Sequence, residues 1–85
     1  SEVKRAHPLM MKIYSDGGDV EQKDGSLTHE IEYVFDTEAE MLAACEVIDF
    51  FYEQKGIRTE VWRPLNVLYV EGPKAEMEKF RDIFP

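Results

Sequence analysis

The residues able to do chemistry are few. There are two histidines, His7 and His29, one cysteine, Cys45, and four acids in a glycine-containing stretch, Asp16, Asp19, Glu21 and Asp24. No second His or Cys stands at metal-ligand spacing from His29, so a structural histidine near the start of a strand is the expected role. The four acids invite a calcium reading. An EF-hand loop, however, needs acids at positions 1, 3 and 5, Gly at 6 and Glu at 12, and this spacing does not supply them. Cys45 falls on the apolar stripe of a helix with no adjacent His or Lys to activate the thiol, so it reads as a small core residue. Gly17-Gly18 is followed by no phosphate-loop pattern. No nucleophile and base occur in a known catalytic arrangement. The expectation is a protein that is not an enzyme and that carries no cofactor and no metal.

The elements that must hold these residues are legible. Residues 1–8 are polar, end at Pro8 and read as a flexible arm ahead of one domain over 9–85. Leu9, Met11 and Ile13 alternate with Met10, Lys12 and Tyr14, which predicts a first strand. Ser15-Asp16-Gly17-Gly18-Asp19 and Asp24-Gly25-Ser26 are turn signals, so 15–26 is expected as a long hairpin loop with room for a short strand extension. A second strand over 27–35 sets Leu27, His29, Ile31, Tyr33 and Phe35 inward. Thr37 with Glu40 makes a capping box, and Gly56 suits the helix C-terminus, with Lys55 in the last turn. Met41, Ala44, Cys45, Ile48, Phe51 and Tyr52 form the stripe that this helix buries. Strands follow over 57–62 and 67–71. A last helix opens at Gly72-Pro73 and presents Met77, Phe80 and Phe84.

The element order is therefore β-β-α-β-β-α. A strand-helix-strand unit crosses right-handed. The simplest arrangement places the last strand between the second and third. The fold class is α+β: a two-layer sandwich with an antiparallel four-stranded sheet in the order 1-2-4-3 and two helices on one face. This resembles a circularly permuted ferredoxin-like fold, and the resemblance concerns the fold alone.

Function is read from charge. Eighteen acids against ten bases leave a net charge of −8. That disfavours a nucleic-acid binder or a protein on an anionic membrane. The acidity is local. Residues 13–54 hold twelve acids and only Lys23 as a base, a block of −11, between ends of +2 and +1. On the first helix Glu38, Glu46, Asp49 and Glu53 lie within about 80° of one another and form a ridge. A charged helix face often serves only solubility. As a footprint, this one suits a basic protein, and spaced carboxylates can imitate a nucleic-acid backbone.

The open sheet face is a second candidate surface, with Met10, Lys12, Tyr14, Glu30, Glu32, Val34, Arg58, Glu60 and Trp62. Two frames for the last strand are open, Val67, Tyr69 and Glu71 or Asn66, Leu68 and Val70. Ala43, Val47 and Phe50 make a spare apolar patch on the first helix. The expected function is a small acidic inhibitor or modulator of a basic, nucleic-acid-binding target protein. Its expected partner-binding residues are Glu30, Glu32, Glu38, Glu46, Asp49, Glu53, Phe50, Tyr14, Arg58 and Trp62. By analogy of size and charge with small acidic phage proteins, the expected setting is cytoplasmic, in a host cell. The alternatives are a homodimer through the sheet face and a single-stranded RNA binder on the aromatic sheet.

Overall fold

The computed structural model describes residues 11–84. The arm expected over 1–8, with His7, and the strand residues Leu9 and Met10 lie outside them. Four strands and two helices run in the order β1 (Lys12–Glu21), β2 (Leu27–Val34), α1 (Glu38–Tyr52), β3 (Arg58–Trp62), β4 (Val67–Pro73) and α2 (Lys74–Ile83). The sheet order is β1-β2-β4-β3, and every neighbouring pair is antiparallel. The fold is α+β in the expected strand order, and it resembles the permuted ferredoxin-like arrangement.

The helix signals act where they were read. The Thr37 hydroxyl accepts from the Glu40 backbone N–H at 3.1 Å and satisfies one of the otherwise orphan donors of the first turn. The α1 helix tightens into a 3-10 turn over Glu53–Lys55 and stops at Gly56, whose φ of 81° suits a residue without Cβ. Pro73 sits at the N-cap of α2, one position earlier in the helix than its usual first-turn place.

Helix and sheet share one core. Ile31 and Tyr33 of β2, Met41, Ala44 and Ile48 of α1, Ile57 ahead of β3, Leu68 and Val70 of β4, and Met77 and Phe80 of α2 are fully buried together. Tyr33 stands at its centre. Burial pushes its phenol up to about 12, and its hydroxyl donates to the Phe84 carbonyl at 3.0 Å, tying β2 to the end of α2. Phe51, expected in the buried stripe, is instead 59% exposed. It lies about 80° round the helix from Met41, outside the arc that the sheet covers.

Gly72 marks the closest backbone approach. A Cβ there would stand 2.8 Å from Ile57 Cγ1 and 3.1 Å from the Gly56 carbonyl oxygen. Gly72→Ala is therefore expected to cost about 1–3 kcal/mol by forcing β3 away from β4. Urea denaturation checks this, and a midpoint equal to that of the native protein would refute it.

The largest departure from expectation lies in β1. It does not stop at Tyr14 but continues through Ser15-Asp16-Gly17-Gly18-Asp19 to Glu21. The register slips between Ile13 and Ser15 and again between Asp16 and Asp19. The glycines therefore sit at a bulge, where an extra residue must be accommodated, and not in a loop. The true turn is Gln22–Ser26. There Asp24 accepts from the Ser26 N–H at 2.9 Å and from its hydroxyl at 2.6 Å, which holds the Asp24 carboxyl below its ordinary range.

Candidate interaction face

Register fixes which side chains share the side of the sheet that is bare among the described residues. Val34 of β2 pairs with Val67 of β4, which pairs with Trp62 of β3. One step along, Glu32 pairs with Tyr69, and Tyr69 with Glu60. The next row is Glu30, Glu71 and Arg58. Residues two apart on a strand share a face, so these rows form one surface, and Val67, Tyr69 and Glu71 is the frame that β4 adopts. The other frame, Leu68 and Val70, is buried under the helices. Tyr14, 55% exposed, stands at the β1 bulge near enough to Tyr69 to affect its phenol.

The face is strongly acidic. Glu30 is pushed above the ordinary glutamate range, first by burial and then by Glu32, Glu71 and Glu60. Tyr69 is also pushed up, by desolvation and then chiefly by Glu32, Glu30 and Glu60. Arg58 reaches in and donates to Glu71 at 3.4 Å, and Lys12 of β1, paired with Val34, lies at the end of the same face. Two shallow depressions meet on this face. Glu30, Arg58, Glu71 and Tyr69 line the first, Trp62 and Val61 the second, and Glu60 and Tyr69 belong to both.

Of the ten expected partner-binding residues, five meet here: Tyr14, Glu30, Glu32, Arg58 and Trp62. Glu38, Glu46, Asp49, Glu53 and Phe50 sit on α1 and the turn after it, in the other layer. Two of those acids have intrachain partners. Glu38 is ion-paired with Arg63. Asp49 accepts from the Thr59 hydroxyl at 2.6 Å, beside the half-buried Cys45 thiol. The α1 acids are thus not one continuous free ridge. Glu60, Tyr69 and Glu71 are not among the ten, although Glu60 is expected on this face and Tyr69 and Glu71 belong to one of its two frames. The cross-strand partners Glu30 and Glu32 would have implicated them had the β4 frame been known.

A second polar cluster lies on the helix side, at the far end of the β1–β2 hairpin. His29 Nδ1 is 2.8 Å from Asp19 Oδ1, and its Nε2 is 2.7 Å from Asp16 Oδ1. Asp19 also accepts from Lys74 at 2.7 Å, and Asp16 is ion-paired with Arg81. The two acids expected in a loop therefore clamp a histidine and dock the β1 extension onto α2. No group of three or more His, Cys, Asp or Glu side chains among the described residues is placed to hold a metal ion. Lys74 and then His29 hold the Asp19 carboxyl below its usual range, and Asp19 in turn pushes the Lys74 ammonium up.

Burial lowers the His29 pKa, but the Asp16 and Asp19 hydrogen bonds and charges outweigh it, and the imidazole titrates above its ordinary 6.5. With both ring nitrogens facing carboxylates, the imidazolium is the form that satisfies them. A raised folded-state value means its stabilisation is complete below the unfolded value and is lost as pH rises through the folded one. The stability difference between the native protein and His29→Gln is therefore expected to shrink from mildly acidic to mildly alkaline pH. A series of urea midpoints measures it, and a difference that stays flat across that range would contradict the clamp.

No helix among the described residues is long and apolar enough to cross a membrane. No family model matches the chain, and comparisons with curated proteins and with solved structures return no match.

Proposed function

We propose that this domain is a protein-binding module, an inhibitor or modulator, whose bare sheet face takes a Lys/Arg-rich surface of a target protein. One observation carries the reading: Glu30, Glu32, Glu60 and Glu71 surround Tyr69 with Arg58 as the counter-charge among them. Like charges facing each other across strands oppose folding, so this arrangement suits a partner that supplies the missing cations. Tyr14, Tyr69 and Trp62 provide rigid aromatic surface, which anchors interfaces and can stack under guanidinium groups. The carboxylates would steer a basic target and raise its on-rate. Glu30 and Glu32 stand about 6.7 Å apart along β2, a spacing of negative groups able to stand in for phosphates. A cytoplasmic setting and a phage origin belong to the same proposal, carried by small size and acid balance.

The charge also speaks against both alternatives. A sheet-to-sheet homodimer would press four glutamates against their own copies. Single-stranded RNA would bring phosphates to the same four. The test is anisotropy of a labelled hexa-arginine peptide across a salt series, with labelled oligo(U) in parallel. Peptide binding that weakens as salt rises, with no uptake of RNA, supports the proposal. Salt-independent peptide binding, or RNA uptake, overturns it.

A further inference from the structure

A second surface, unpartnered among the described residues, lies in the other layer, on α1. Phe50 is 77% exposed and Phe51 59%, and the two rings touch edge to face with centroids 4.9 Å apart. Val47, also exposed, lies one turn earlier, at three and four residues' spacing from them, so the three make one apolar ridge. Phe50 stands about 180° round the helix from the buried Met41, pointing away from the core. Such an exposed apolar ridge suits a contact site. Its borders are charged. The exposed Glu46 lies four residues before Phe50 and the exposed Glu53 three after it, and Lys55, four after Phe51, is the nearby base.

We infer that the Val47-Phe50-Phe51 ridge is a docking site for an amphipathic helix of another protein, with apolar residues on one face and Lys or Arg flanking them. The borders choose this occupant. A second copy packed antiparallel about Phe50 would set Glu46 against Glu53 of its mate, like charge on like. A helix with basic flanks meets both acids with opposite charge while its apolar face covers the rings. The ridge of residues at three- and four-residue spacing is the surface onto which another helix packs. The inference does not depend on the sheet-face reading, because the two surfaces lie in different layers.

The probe is a fluorescein-labelled amphipathic Leu/Lys helix, compared with a Leu/Glu helix of the same apolar pattern. The expected result is binding of the Leu/Lys helix that persists at high salt and weakens about tenfold or more in Phe50→Ser/Phe51→Ser, with little binding of the Leu/Glu helix. The urea midpoint of that variant should match the native one, since both rings are solvent-facing. Binding unchanged in the Phe variant but lost in Glu30→Gln/Glu60→Gln would assign the peptide to the sheet face and overturn the inference. Absence of Leu/Lys binding overturns it too. So does a dimer in sedimentation that the Phe variant abolishes, which would make a second copy the occupant. Loss of hexa-arginine binding to the sheet, with Leu/Lys binding intact, would overturn only the sheet-face proposal.

Discussion

Phe80→Ala is expected to remove about 3–5 kcal/mol of stability. The ring is fully buried and meets three others: Tyr52 at 5.1 Å, Phe84 at 4.8 Å and Tyr33 at 6.2 Å between centroids. Truncation leaves a cavity where α1, α2 and β2 converge, and it strips the aromatic contacts along with the buried area. A domain of 85 residues has about 4–13 kcal/mol in total, so the variant should lose a large share of it. The thermal midpoint should fall by more than about ten degrees. Calorimetry measures it. A loss within about 0.5 kcal/mol, the ordinary range for an exposed site, would mean that Phe80 does not hold the core. Phe50→Ala is the internal contrast, since its exposed ring should cost no more than that.

Glu30→Gln/Glu60→Gln is expected to act in the opposite direction on stability while weakening hexa-arginine binding about tenfold or more. Glu30 faces Glu71 directly across the β2–β4 ladder and carries a carboxyl disfavoured by burial and by three other glutamates. A carboxylate whose folded-state pKa is raised lowers stability at neutral pH, and this is relieved as pH falls toward the raised value. Removing the two charges should therefore raise stability by about 0.2–1 kcal/mol for each like-charge pair relieved. Denaturation and anisotropy on the same sample test both halves. A variant that is destabilised would show that the glutamates support the fold. A variant that is stabilised but binds unchanged would leave the face without its proposed role.

The order of elements and the sheet topology were legible because their signals are local and hard to satisfy otherwise. Thr37 followed by Glu40 starts a helix, and Gly56 ends one. A right-handed crossover then leaves one simple place for the last strand. Two features were hidden. Asp16-Gly17-Gly18-Asp19 uses the residues that turns use, although neither glycine takes a positive φ, so its composition suits a bulge and a turn alike. Only the pairing with β2 separates them. Val67 to Val70 is apolar on both faces, because β4 is a central strand with Val67 buried even on the bare side. No alternation remains to reveal its frame, and so Tyr69 and Glu71 stayed out of the expected site. Charge was legible in amount but not in place. The −11 block of sequence is divided by the fold between two layers, while Glu60 and Glu71, from outside that block, complete the acidic face.

The broken register of β1 bears on how the molecule avoids templating its own aggregation. A sheet whose outer strands have no further partner among the described residues invites other strands to add along its rim. Two slips of register against β2 break the regular pleat of the outer strand β1. On the other rim β3 is five residues long and presents Arg58 and Glu60. Neither rim offers a long, flat ladder. Growth by lateral strand addition is discouraged along both of these strands.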